Sequence, residues 1–128
     1  MGLYNFQPRF APFILAGEKK HTIRALRANP DKPGNTLHLY VGLRHKNPRL
    51  LGRFECTRVE SITISVSQRP FDPDSHRGAE WHVFVEGVEL SESECEALAV
   101  RDGFKDFAEM KEFWADRLPF NGQIIHWK

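Results

Sequence analysis

The sequence predicts one α+β domain: a mostly antiparallel, barrel-like β-sheet with about three short helices. Three observations predict it. Strand patterning dominates the chain as far as Val85, helix caps appear only from Ser91 onward, and strand patterning returns at Gln123 to Trp127. The chain has 128 residues, which is one domain (residues 1–128) able to bury a core rather than two domains.

Leu3 to Phe6 reads as a first strand. Phe10, Phe13 and Ile14 then follow helical spacing, with Gly17 as the stop. Pro12 fits only the first turn, so this helix is short. Lys20 to Leu26 is the next strand, centred on the β-branched pair Thr22-Ile23. Ala28 to Asn35 holds Asn-Pro, Lys-Pro and Pro-Gly, which is loop chemistry. Thr36 to Val41 alternates Leu37, Leu39 and Val41 against Thr36, His38 and Tyr40, the period of a strand. Arg44 to Arg49 is a basic turn. Leu50 to Val66 reads as one long strand or two joined near Glu60-Ser61, and Ser67 to Gly78 as a loop. Trp81 to Val85 is a further strand.

Ser91 and Glu94 form an S-x-x-E capping box, and the helix behind it places Cys95, Leu98 and Ala99 on one face before Gly103 ends it. Asp106 and Glu109 repeat the arrangement ahead of Phe107, Met110, Phe113 and Trp114. A closing strand, Gln123 to Trp127, ties down the terminus and covers a sheet edge.

Several function classes lack their motifs. There is no G-x-G-x-x-G, no P-loop and no G-x-S-x-G. The six histidines have no H-x-x-x-H pair, and Cys56 and Cys95 form no C-x-x-C, so neither metal nor cofactor is expected. No apolar run approaches the ~18 residues of a membrane span, and residues 1–10 lack a signal peptide. Two cysteines suit a reducing compartment, so a cytoplasmic protein without a membrane partner is expected. Both are expected to be buried and inert.

Charge is asymmetric along the chain. Residues 1–64 hold 11 Lys/Arg against 4 Asp/Glu, a net +7; residues 65–128 hold 7 against 13, a net −6. Either the first half presents a cationic face to an anion, or the halves interleave and neutralise.

The densest polar segment runs from Gly17 to Arg24, where a helix hands over to a strand. In a strand, Lys20, Thr22 and Arg24 share one face and Ile23 points into the core, with Lys19 at the turn beside them. Neighbouring cations and partial burial lower a lysine's pKa, which suits it to act as a base toward a threonine hydroxyl. A solvated basic strand is the alternative. Asp102 falls at a helix C-terminus, where the macrodipole disfavours a carboxylate; the alternative there is an ordinary Asp-Gly turn. Trp81 and Trp114 read as core. Tyr40 and Trp127 are candidates for stacking a base, and Arg44, Lys46 and Arg49 for phosphate contacts or a solvated turn.

Gly17-x-Lys19-x-x-Thr22-x-Arg24 resembles the signature of ASCH domains, relatives of the PUA RNA-binding fold. Other parts agree in order across essentially the whole chain. Phe13-Ile14 precedes the signature, Pro33-Gly34-Asn35-Thr36-Leu37 resembles the family's P-G-D-x-L turn, and Arg101-Asp102-Gly103-Phe104 its acidic-Gly-Phe segment. Phe120-Asn121-Gly122 and the final strand resemble its C-terminal end. The resemblance implies a PUA-like β-barrel with a cleft lined by the signature, binding RNA or a modified nucleoside. Lys20, Arg24, Tyr40, Arg44 and Trp127 are the expected contacts. Some small bacterial members are amidohydrolases that deacylate acetylcytidine. Carried over, Thr22 is the nucleophile, Lys19 its base, Asp102 the orienter or proton shuttle, and Arg24 the group that holds an anion or carbonyl. Asp102 is one methylene shorter than the Glu of those enzymes, and Asn35 replaces the family's turn Asp. Metal-assisted RNA cleavage, suggested by other ASCH-like proteins, is a third implication, without a ligand set here.

Overall fold

The computed structural model describes residues 2–72 and 77–128. The domain is α+β, as the patterning predicts. In order come β1 (Gly2–Phe6), a 3-10 turn (Pro8–Phe10) running into α1 (Ala11–Leu15), β2 (His21–Ala25) and β3 (Thr36–Val41). Then follow β4 (Arg49–Asp72), β5 (Arg77–Val85), β6 (Val88–Glu89), α2 (Glu92–Arg101), α3 (Phe107–Trp114) and β7 (Phe120–Trp127).

The long strand β4 organises the sheet. Its first part pairs with β3, its middle with β7 and its last part with β5, all antiparallel. β2 adds to β7, and β6 to β5, also antiparallel. β1 pairs with β3 in parallel, so the sheet is mixed. Among the described residues no ladder joins β1 to β2. The sheet therefore stays open where a closed barrel was expected. A side chain bridges the gap instead: Arg24 Nη2 on β2 donates to the Asn5 carbonyl on β1 at 2.6 Å.

Two further expectations change. The strand from Leu50 does not stop at Val66 but runs to Asp72, and β5 begins at Arg77. Most of the expected Ser67–Gly78 loop is thus a hairpin arm, and its remainder, 73–76, lies outside the described residues. Of the two readings of this stretch, the single long strand is the one found: β4 runs through Glu60-Ser61 without a break, and its register shifts fall at Leu50/Gly52 against β3, at Cys56/Arg58 against β7 and between Gln68 and Asp72 against β5. Backbone ladders can carry a strand through polar residues, so the absence of apolar alternation does not end it.

The core packs the inward faces of the sheet, with Tyr4, Leu37, Leu39, Ile62, Ile64 and Ile124, against Leu98, Ala99 and Met110 of the helices. Cys56 and Cys95 are buried, and burial raises both thiol pKa values, as expected of inert cysteines. No described helix is long and apolar enough to cross a membrane.

The α2 capping box is complete: Ser91 Oγ accepts from Glu94 N–H and Glu94 Oε1 accepts from Ser91 N–H. Ser91→Ala is expected to cost about 1 kcal/mol in urea unfolding, the usual value of an N-cap. This helix matters because its other end carries Asp102.

Candidate functional site

The unclosed gap between β1 and β2 is a cleft of about 370 Å³. Asn5 and Phe6 form one wall; Thr22, Ile23, Arg24 and Ala25 form the other. Lys19, Phe10, Asp102 and Phe104 close one end, and Gln7 with Phe113, Trp114 and Arg117 of the α3 region completes the lining. A polar cluster in an aromatic-walled hollow of this size is the usual form of a small-molecule site, for which roughly 300–1,000 Å³ is typical.

The local chain explains the convergence. α1 ends at Leu15 with Ala16 as its cap, and Gly17 beyond it, with a φ of 77°, lets the chain turn and bring Lys19 inward before β2 begins. Thr22 and Arg24 then share one face of β2. Asp102 is the C-cap of α2, and Gly103 behind it has φ 100°. A Cβ on Gly103 would stand 2.8 Å from the Phe10 ring and 3.6 Å from Lys19 Cδ, so glycine is what lets this turn close on the cleft.

Lys19 is only 3% exposed and Asp102 6%. Lys19 Nζ donates to Asp102 Oδ1 at 2.6 Å and to the Asp102 carbonyl at 2.8 Å. It also lies 5.2 Å from the Phe10 ring centre and 5.8 Å from that of Phe6, a cation–π setting. Burial pulls the Lys19 pKa below the usual lysine value; the Asp102 carboxylate opposes that pull, and Arg24 adds to it. Burial pushes Asp102 up, but the Lys19 ammonium and His21 outweigh it, so its pKa is lowered and it is ionised at neutral pH. The carboxylate thus survives at a helix C-terminus because a buried cation neutralises it.

Thr22 is buried, and its hydroxyl accepts from Arg24 Nε at 2.9 Å. Arg24 is itself pinned: it bonds Asn5 and stacks over Phe6 at 4.7 Å and Tyr4 at 5.5 Å. Burial first, then Arg27, lowers its pKa to about 10, which leaves it a cation at neutral pH. Lys19 and Thr22 line one cleft, yet each spends its hydrogen bonds on another partner.

The other sequence candidates lie elsewhere. Lys20 precedes β2 and does not share the Thr22–Arg24 face; it lines a second cavity of about 610 Å³ with His21, Arg58, Glu60 and His126. Trp127 is buried edge-on to Phe6 and against Phe54, so it belongs to the core and offers no stacking face. Tyr40 is half-buried on β3, between Asn5 and Leu50, and Arg44 is exposed in the β3–β4 turn. Neither lines the cleft. Trp114 is core as expected, and it is also cleft wall.

Sequence reasoning missed His21, which is 3% exposed with Nε2 3.3 Å from Asp102 Oδ1. Strand parity turns it away from Thr22, so only a buried acid at the strand's end brings it into use. It also missed the aromatic wall of Phe10, Phe104 and Phe113, because i, i+3 spacing marks core and cleft alike.

Among the described residues no three His, Cys, Asp or Glu side chains stand together as a metal site. Ser67, His82 and Glu89 form a hydrogen-bonded row with Ser67 Oγ 2.9 Å from His82 Nε2 and His82 Nδ1 2.5 Å from Glu89. The row spans three strands on the surface with Glu89 half exposed, and it lines neither cavity; water competes for every bond there, so it pins the hairpin. Comparison with family models, curated proteins and solved structures finds no match to this chain.

Proposed function

We propose that the cleft takes an acylated pyrimidine nucleoside of the 4-acetylcytidine type and hydrolyses its exocyclic amide. The observation that carries this reading is the Lys19–Asp102 pair, buried together in the wall of a nucleoside-scale cleft. Burying such a pair costs stability that a binding surface does not require. Perturbed, paired ionisable groups in a cleft mark sites of chemistry more often than sites of packing. The resemblance to ASCH domains and their PUA-like fold supports the same assignment of Lys19, Thr22 and Asp102, and the aromatic walls suit a flat base.

In this reading Thr22 Oγ1 attacks the acyl carbon, and its proton passes to neutral Lys19 Nζ. Arg24, already donating to Thr22, balances the charge that develops on the hydroxyl and then on the carbonyl oxygen. The C–N bond breaks, and the leaving amine takes the proton back from Lys19. Water then cleaves the acyl-threonine ester, with Lys19 again the base, and a carboxylic acid leaves. For Lys19 to reach Thr22, it must exchange its bond to Asp102, as catalytic contacts often tighten only around substrate.

The test is ultraviolet loss of the acyl chromophore from 4-acetylcytidine. Thr22→Val and Lys19→Ala are each expected to lower kcat/KM by ~100-fold or more, the lower range of general-base and nucleophile losses. The base acts only when unprotonated, so kcat/KM rises with pH through the Lys19 pKa. Burial places that rise below the ordinary lysine range. Undiminished turnover in Thr22→Val excludes Thr22 as nucleophile.

The exposed basic turn Arg44–Arg49 favours a second reading, RNA binding without turnover. It predicts an RNA Kd that weakens steeply with salt and is indifferent to Thr22→Val.

A further inference from the structure

Two nitrogens converge on one oxygen of Asp102: Lys19 Nζ at 2.6 Å and His21 Nε2 at 3.3 Å from Oδ1. The His21 contact is short enough to touch but not aligned as a hydrogen bond, and this buried nitrogen has no other polar partner. His21 is fixed from behind. Its register partner across the ladder is His126, the two rings lie 5.5 Å apart, and His126 is held by Glu60 at 2.7 Å.

The catalytic reading sets Asp102 a problem. When Lys19 gives up its proton and turns to Thr22, a carboxylate at a helix C-terminus loses its neutralising partner while buried. We infer that His21 is a positioning residue which takes over Asp102 Oδ1 when Lys19 leaves it, so that the lysine is released to act on Thr22. This rests on the proposed deacylation for its purpose, but its geometry is independent of any substrate. The charged groups around the His21–Asp102 contact are Lys19 and Arg24 on the cleft side, and Glu18, Lys20, Arg58, Glu60, Glu94, Arg101 and His126 along the second cavity, which His21 also lines.

His21→Leu removes the second donor, and Asp102 then leans harder on the ammonium. The Lys19 titration, read by carbon NMR at its Cε, is expected to move up by about one pH unit, within the range of a neighbouring-charge effect. Below the midpoint a one-unit shift lowers the neutral fraction, and with it kcat, by about tenfold, with KM unchanged. His21→Gln, which keeps a donor near the Nε2 position, is expected to restore both. If His21→Leu fails to fold, His21→Asn serves, its amide being too short to reach Oδ1. An unchanged Lys19 midpoint in the donor-less variant, or a shift that Gln does not restore, overturns the inference. The NMR arm needs no turnover. A shifted midpoint in a protein inert toward 4-acetylcytidine therefore sinks the deacylation reading and leaves the His21 inference standing.

Discussion

Lys19→Met is expected to destabilise the fold by about 3–5 kcal/mol, the cost of leaving one partner of a buried ion pair alone. The methionine fills the same space against Phe6 and Phe10, so the loss isolates charge from packing. The sign of the pH dependence makes the case sharper. In the native protein the Asp102 pKa is lowered, so its stabilisation is present above the unfolded carboxylate value and fades as pH falls through the folded one. Without Lys19, the neighbouring His21 offsets only part of the burial, and the Asp102 pKa is expected to rise above its unfolded value. The variant should then gain stability relative to the wild type as pH is lowered from neutrality toward the unfolded carboxylate pKa of ~3.9. Adding Asp102→Leu to Lys19→Met should recover most of the lost stability at neutral pH, because neither charge is then buried. Urea melts at pH 7 and pH 5 of the wild type, the single variant and the double variant decide it. A Lys19→Met protein that loses stability with acid in parallel with the wild type would mean that Asp102 is solvated, not buried against Lys19.

What the sequence made legible was local. β3 is found at Thr36–Val41 because its alternation is unbroken, and α2 and α3 start where Ser91 and Asp106 cap them. Thr22 and Arg24 share a face because strand parity is a local property. What stayed hidden depends on distant partners. The parallel pairing of β1 with β3, and the open gap between β1 and β2, are choices of register across dozens of residues. Lys20 read as a cleft residue because it shares parity with Thr22 and Arg24; the ladder begins at His21, so Lys20 lies before the strand, where parity no longer fixes its direction. Trp127 read as a terminal platform, but its place opposite Cys56 and edge-on to Phe6 buries it. Asp102 drew notice because a carboxylate at a helix end needs a reason. Its reason, Lys19, lies 83 residues earlier in the chain.

Gly122→Ala is expected to cost about 3 kcal/mol, the upper part of the range for overpacking, and to empty the cleft of function as well. Gly122 sits in β7 between Ala25 of β2 and Ile62 of β4, so it cannot shift toward open space on either side. A Cβ there would fall 2.2 Å from the Arg24 carbonyl oxygen and 2.6 Å from Phe120 Cζ. The ring can turn aside, whereas the carbonyl is backbone, and moving it means moving β2 at Arg24. That residue donates to Thr22 and bridges to Asn5, so a displacement of β2 misaligns both walls of the cleft at once. A misplacement of ~1 Å is enough to cost ~100-fold in rate. Thermal melts and the 4-acetylcytidine assay, run on Gly122→Ala and on Gly122→Ala with Phe120→Leu, separate the two contacts. The double variant should remain as impaired as the single one, because the carbonyl clash is still there. Recovery of stability and turnover in the double variant would assign the clash to the ring, and the glycine would then serve aromatic packing behind the cleft instead of the close approach of β2 to β7.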